Sequence, residues 1–293
     1  MRLDFATLRL FVTACRHGSI AAAAEVHHIA ASAVSRRLAE MEAEAGVSLL
    51  ERSKRGVTPT AAGEALLARA GDMLRLADRI EGELADFSSG ARGVVRLAAN
   101  TSAVTQHLPE DIARFLGLYP DVQVELRELV SGAVVGAVTD GICDIGIAAE
   151  HVDLRGLASR PYRTDRLVLL TPEAHPLAAR SSVRAADLAG CDAVALQDGS
   201  SLQALVSGKV REAGAELRVR VDILSFDAVR RMVATGLGVS VLPEGAVEPY
   251  RDHLPVRAVP IDDDWALRRL VIVARSFDGL PNAARALLEC LEA

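Results

Sequence analysis

From Ala61 to Phe87 no proline interrupts the chain, and Leu66, Ala70, Met73, Ala77, Ile80, Leu84 and Phe87 follow one another in alternating steps of four and three. That spacing is the a/d seam of a coiled coil, so the stretch reads as one long helix with an apolar stripe. Gly63, Gly71 and Gly82 each weaken an isolated helix by about 1 kcal/mol relative to alanine. The helix therefore needs a surface to lie on, either a partner helix or its own domain. It divides the chain into an N-terminal part of residues 1–60, a linker with a Ser/Gly-rich hinge of residues 61–90, and a C-terminal part of residues 91–293.

The N-terminal part carries helical signals. Phe5, Leu8, Phe11, Val12 and Cys15 recur at helical spacing, with Gly18 as a C-cap. Ser19 reads as the N-cap of a helix over Ile20 to Val26, and Ser32 as the N-cap of another ending before Gly46. On that last helix Val34, Leu38, Met41 and Ala45 share the buried stripe. Ser32, Arg36, Ala39 and Ala43 lie opposite, Ser35 sits at an edge of that outer face, and Arg37 sits beside the stripe. Small residues around one arginine suit a helix that fits into a major groove and extends a bidentate donor. The plain alternative is an ordinary solvated helix. The next stretch, Leu50 to Thr60, decides between them. It is a basic hairpin with Gly56 at its turn, and Arg52, Lys54 and Arg55 are placed to contact phosphate or the minor groove.

Charge agrees with this division. The whole chain is −6, yet residues 1–63 hold eight basic groups against six acids, a balance of +2 that leaves −8 on the remainder. A basic end on an acidic body fits one nucleic-acid-facing module. The four cysteines are scattered without zinc-site spacing, so no metal and no cofactor is expected. No apolar run approaches the roughly 20 residues of a membrane span, and no signal peptide opens the chain. A cytoplasmic protein without a membrane partner is expected.

After residue 93 the pattern becomes βαβα, which predicts an α/β fold of two similar lobes, with a mostly parallel sheet covered by helices on both faces. The reading includes a single helix over Val104 to Leu118. In such sheets ligands bind at the carboxyl ends of strands, beside helix N-termini. Asn100-Thr101-Ser102, Ser131 and Ser200-Ser201 occupy such places. Each could be a simple helix cap, but their recurrence in both lobes favours a cleft for a small polar effector. An enzyme is the rival class. However, no Walker loop, G-x-S-x-G elbow or H-E-x-x-H is present. A solute receptor of the same two lobes would need export.

The run Gly18-Ser19, Ala22-Ala23, Ser32-Ala33-Val34-Ser35-Arg36, Gly46-Val47, Leu49-Leu50-Glu51-Arg52, Gly56-Val57, Thr60 and Ala62-Gly63 resembles the winged helix-turn-helix of the LysR-type transcriptional regulators. Farther on, Leu108-Pro109, Tyr119-Pro120, Asp140-Gly141, Asp144-Ile145-Gly146-Ile147, His175-Pro176-Leu177 and Gly236-Leu237-Gly238-Val239 are similar to the effector domain of that family. Where many members have Ser-Gln before the recognition helix, this chain has Ala30-Ala31, and His27 stands where a buried leucine is usual. The resemblance implies an N-terminal all-α winged helix-turn-helix, a long linker helix and a two-lobed, periplasmic-binding-protein-like effector domain. Lobe I would take residues 91–162 and 266–293, and lobe II residues 163–265. The strands crossing between lobes would lie near Pro161–Arg166 and Asp263–Arg268.

The resemblance also implies a transcriptional regulator and not an enzyme. Its dimer would form through the linker, with Leu66, Met73, Ile80, Leu84 and Phe87 at the contact. It would be a homodimer or homotetramer on a two-fold operator in double-stranded DNA, with RNA polymerase as a further partner. Arg36, Ser32 and Ser35 would read bases, and Arg37, Arg52, Lys54 and Arg55 would hold phosphates. A small-molecule effector would be lined by Thr101, Ser102, Ser131, Ser201 and Phe226, with Asn100 and Ser200 beside them.

Overall fold

The computed structural model describes residues 4–53, 56–89 and 93–293, with side chains 72, 75, 78, 79 and 81–89 outside the description. Lys54, Arg55 and the side chains of Leu84 and Phe87 therefore lie outside the described residues. The chain forms two compact units, residues 1–88 and 89–293.

In the first unit α1 (Phe5–His17), α2 (Ile20–Val26) and α3 (Ala31–Ala45) are followed by the hairpin β1 (Leu50–Ser53) and β2 (Gly56–Pro59), then α4 (Ala61–Ser89). Asp4 caps α1 by accepting from the Ala6 and Thr7 amides, and left-handed Gly18 ends it. Ser19 caps α2 as expected. Ser32 does not cap α3. Ala30 holds that place without a side-chain bond, and Ser32 falls inside the first turn. The turn sets this start. His28 adopts a left-handed conformation and the Ile29 amide bonds back to Ala24, so the extended residue falls at Ala30.

Leu8, Phe11, Val12, Ala23, Val34, Leu38, Met41, Leu49 and Val57 form the core of this unit, and Ala70 and Leu74 of α4 complete it. The hairpin is seated by a bond from the Val57 amide to the Gly18 carbonyl, 2.9 Å. A side chain at Gly56 would come within 2.2 Å of that carbonyl, and one at Gly63 within 2.0 Å of the Leu49 carbonyl, so both approaches need glycine. The start of α4 thus lies on its own domain, with Leu66 and Leu67 half-buried against the core. Of the expected seam, Leu66 and Ala70 lie against the unit's own core, while among the described side chains Met73, Leu76 and Ile80 are exposed at 36, 54 and 47%.

The second unit runs β3 (Gly93–Ala99), α5 (Thr101–Gln106), α6 (Leu108–Leu118), β4 (Val122–Glu128), α7 (Ser131–Thr139), β5 (Ile145–Ala149) and the long β6 (Ala158–Pro172). It continues with β7 (Asp192–Leu196), α8 (Ser201–Glu212), β8 (Arg218–Ile223), α9 (Phe226–Ala234), β9 (Ser240–Pro243), β10 (Val256–Pro260), β11 (Leu267–Ala274) and α10 (Asn282–Glu292). The single helix expected over Val104 to Leu118 is broken at His107. Pro109 has no amide to give to Thr105, and its ring would strike that carbonyl, so a second helix begins instead.

The strand order is β10-β6-β11-β5-β3-β4, with β9 also on β6 and the parallel β7–β8 pair bridged to the chain before β9 at Ala193–Val239. The expectation of a mostly parallel sheet is corrected. β3 is parallel to β4 and β5, but β11 runs antiparallel to β5 and β6, and β6 runs antiparallel to β9 and β10. The reason is topological. The first half of β6 pairs with β11 in one lobe and its second half with β9 and β10 in the other, and β11 brings the chain back. In the first lobe it is β11 that runs against β3, β4 and β5, and in the second it is β6 that runs against β9 and β10.

In the first lobe, alternate residues face opposite layers. Val95, Leu97, Ile145, Ile147 and Ile272 meet α6 and α10, while Ala98, Ala148, Val271 and Val273 meet α7. Gly146 lets α7 approach, because a Cβ there would lie 2.7 Å from Val134 and 2.8 Å from Val138. The second lobe has its own core around Leu167, Leu169, Val194, Val206, Val229 and Leu242. Among the described residues no helix is long and apolar enough to cross a membrane.

Candidate functional site

Two places gather the polar residues singled out in the sequence. The first is the outward side of α3. Ala31, Ser32, Arg36, Ala39 and Ala43 are exposed there, opposite buried Val34, Leu38 and Met41. Arg36 stands 3.9 Å from Glu40, and Arg37 stands 3.8 Å from Asp4; both arginines are exposed. Ion pairs this open and this long contribute little and leave the cations free to exchange partners. Ser35 differs, because its hydroxyl accepts from Nη1 of Arg52 on β1 at 2.9 Å. Arg52 is thereby brought from the hairpin onto the edge of α3. The expected positions Ser32, Ser35, Arg36, Arg37 and Arg52 belong to one unit and to two adjoining elements, while Lys54 and Arg55 lie outside the described residues.

The second place is a narrow cleft in the larger unit, with a cavity of about 30 Å³. Asn100, Thr101, Ser102, Ser131, Ser200, Ser201 and Phe226 all line it, so the strand ends and helix starts chosen from the sequence converge. The starts of α5 and α7 come from one lobe, and those of α8 and α9 from the other. Asn100 caps α5 through the Ala103 amide, and its Nδ2 donates to the Ser131 hydroxyl at 3.1 Å. Ser131 also accepts from the Ala149 amide, and its hydroxyl lies 3.0 Å from that of Ser201 across the cleft. The same turn of α8 is met by His151, whose Nε2 is 3.2 Å from the Ser201 carbonyl. Burial holds His151 below the ordinary imidazole range, and its bond to Ser201 opposes that.

Sequence reasoning missed the floor of the cleft. Arg268 on β11 lines it and is paired with Asp165 on β6, both side chains 2% exposed. Nε of Arg268 donates to Asp165 at 2.9 Å, Nη2 donates to the other carboxylate oxygen, and Nη2 also reaches the Ser102 hydroxyl at 3.0 Å. Gln106 donates to the Ser102 carbonyl and to Asp165. No local signal marks Arg268, one arginine of two at the start of a strand. The two residues become partners only through the β6–β11 register, in which they stand opposite each other. Leu129, Val130, Leu196, Leu202 and Leu224 supply an apolar wall that was likewise unassigned. The cleft therefore offers hydroxyls, amides and helix-start N–H groups around a partly apolar space. Among the described residues no cluster of metal-ligating side chains accompanies it.

Comparison with known proteins gives the same division. A family model described as a bacterial regulatory helix-turn-helix protein of the lysR family matches residues 5–64, and one described as a LysR substrate binding domain matches residues 88–293. A probable HTH-type transcriptional regulator, LrrA of Synechococcus elongatus, is 31% identical over 264 residues, covering 88% of this chain and 87% of its own. Among solved structures, full-length OxyR from Pseudomonas aeruginosa matches with a TM-score of 0.76 at 25% identity, over 99% of this chain and 95% of that one. CbnR complexed with its target DNA matches with a TM-score of 0.69 at 23% identity, over 99% of both chains, which is a likeness of fold.

Proposed function

The chain belongs to the LysR family of bacterial helix-turn-helix transcriptional regulators, and we propose that it binds a two-fold operator as a homodimer or homotetramer through residues 1–60 and senses a small molecule through residues 91–293. Residues 61–90 link the two parts and carry the dimer contact. As a member of that family it is a DNA-binding regulator with an effector-binding domain, and its relatives are regulators, not enzymes. The observation that carries the DNA assignment is the outward side of α3, where short residues surround exposed Arg36 with the hairpin alongside. Short residues let the helix backbone come close to the base edges, and arginine is the side chain that reads guanine bidentately. Arg36 with Ser32 is assigned to bases, and Arg37, Arg52, Lys54 and Arg55 to phosphates. Arg36→Ala should cost about 1–3 kcal/mol at the operator and relax sequence choice, whereas losing a phosphate contact should lower the salt slope by about one.

The cleft supports the second half of the reading. Its eight polar side chains and four converging helix starts suit a small polar ligand. Closure of the lobes around that ligand would bias the spacing of the DNA-binding parts, and couplings of this sort amount to about 1–3 kcal/mol. RNA polymerase at the regulated promoter is the partner that such a change would address.

The test is to incubate the purified protein with fragmented DNA from its own genome at two salt concentrations and sequence what is retained. A few promoter-proximal sites with two-fold symmetry are expected. Retention that is salt-labile and blind to sequence would overturn the regulator reading.

A further inference from the structure

We propose that Glu42 and Ser35 are positioning residues for Arg52: they hold its guanidinium along the edge of the recognition helix α3, ready for a phosphate, and Ser35 reads no base itself. This rests on the DNA-binding reading above and adds to it a means by which the hairpin and the helix act as one surface.

Ser35 and Glu42 both lie on α3, seven residues apart, which places them two turns apart on the same side. Arg52 comes to that side from β1. Its Nη1 donates to the Ser35 hydroxyl at 2.9 Å, and its Nη2 lies 3.9 Å from Oε2 of Glu42. Glu42 is itself fixed. Its other oxygen accepts from the Leu49 amide at 2.8 Å, just before β1, and from the Leu50 amide at 2.9 Å, which opens that strand. One carboxylate therefore ties the turn after α3 to the helix and aims the arginine two residues farther along.

The contrast with Arg36 and Arg37 gives this arrangement its meaning. Among the described residues those side chains have a distant, exposed acid each, whereas Arg52 is gripped at one end by a hydrogen bond and approached at the other by a half-buried carboxylate. A guanidinium has five N–H donors in a rigid fork, so two directions can be spent on the protein while others remain for a phosphate. An arginine already held in place loses less side-chain freedom on binding, and such immobilisation is worth roughly a two- to tenfold change in affinity. Ser35 has its hydroxyl engaged in that grip, so its contribution passes through Arg52.

The experiment is a double-mutant cycle on the full chain with Ser35→Ala, Arg52→Ala and both together. Binding is measured on a labelled duplex carrying one retained genomic site and on a duplex of scrambled sequence, each over a range of salt. Arg52→Ala should lower affinity on both duplexes and reduce the salt slope by about one. Ser35→Ala should lower affinity roughly two- to tenfold on both duplexes, leave the melting temperature unchanged, and add nothing once Arg52 is alanine. Glu42→Gln keeps an oxygen for the Leu49 and Leu50 amides but removes the charge beside Arg52, so its loss should also vanish in the Arg52→Ala background. Losses of Ser35 and Arg52 that simply add, or a Ser35→Ala loss confined to the genomic site, would overturn the positioning role while leaving DNA binding intact. Failure of the parent chain to bind either duplex at low salt would instead sink the reading on which the proposal stands.

Discussion

At Arg268 and Asp165 two opposite charges sit with side chains 2% exposed, and every contact in their network is fixed by register or by a helix start. Taking both charges out of water is expensive, and their attraction and hydrogen bonds offset that cost only while both are present. Removing one leaves the other uncompensated. Arg268→Met should therefore destabilise the larger unit by about 3–5 kcal/mol in urea unfolding, and Asp165→Leu by a similar amount. The double variant should recover most of the loss. Single losses under about 1 kcal/mol would mean that water reaches the floor of the cleft and the pair is not sealed. A second residue effect concerns His107. Burial holds its ring below the ordinary value of 6.5, against the pull of Asp165, with Arg163 lowering it further and Asp111 and Glu110 raising it. Among the described residues its Nε2 meets no hydrogen-bond partner. A histidine depressed in the folded state binds fewer protons there than in the unfolded chain, so its stabilising contribution is present above the unfolded value and fades as pH falls through it. Unfolding free energy should accordingly decline from about pH 7.5 to about pH 5.5, and His107→Gln should flatten that decline. An identical slope in the variant would acquit His107.

Elements show where sequence patterns are ambiguous and what resolves them. The α2 cap at Ser19 was legible because a Ser before an alanine run has one good use. The break at His107 was signalled by Pro109, yet an unbroken apolar rhythm over Val104 to Leu118 concealed it. β10 gives little signal in one dimension, because Val256 to Pro260 shows little periodicity and takes its place by pairing with the second half of β6. The linker is the most instructive case. A heptad reports only that a stripe is apolar, and cannot say which turns the helix's own domain consumes. Close approach of Gly63 to Leu49 seats the first turns, so Leu66 and Ala70 face inward and the free stripe shifts to Met73, Leu76 and Ile80. Three large apolar side chains at such spacing need a partner surface. If the proposed dimer forms through this stripe, Ile80→Glu combined with Leu76→Glu should leave only monomer in sedimentation velocity while the far-ultraviolet circular dichroism stays unchanged. Leu66→Glu should instead unfold the winged domain, because it strikes the core. Equal effects of the two changes on folding would contradict this separation of roles.

Across the whole molecule, the division into a DNA-facing part and a ligand-facing part was readable from charge and periodicity, and the lobed cleft from serines recurring before helices. The crossing strands were harder. A strand that serves two sheets looks like any other in one dimension, so the antiparallel partners of β6 and the charged pair between β6 and β11 emerge only in three. The same organisation bears on unfolding. Leu8, Phe11 and Leu38 belong to one core, and Leu97, Leu169 and Ile272 belong to others; each core draws its residues from a single unit. Cooperativity follows shared cores, so the chain should melt in two steps. A ligand stabilises only the unit whose folded form it binds, by about 2.7 kcal/mol at one hundred times its dissociation constant. Operator duplex at that excess should raise the transition of residues 1–88 and leave that of residues 89–293 in place, read by differential scanning calorimetry at fixed protein concentration. The transitions can be assigned with Arg268→Met, which should lower only the step belonging to the larger unit. If duplex moved both steps equally, or if a single step persisted in every variant, the two units would be folding as one cooperative body, and their separate cores would be no guide to how the protein comes apart.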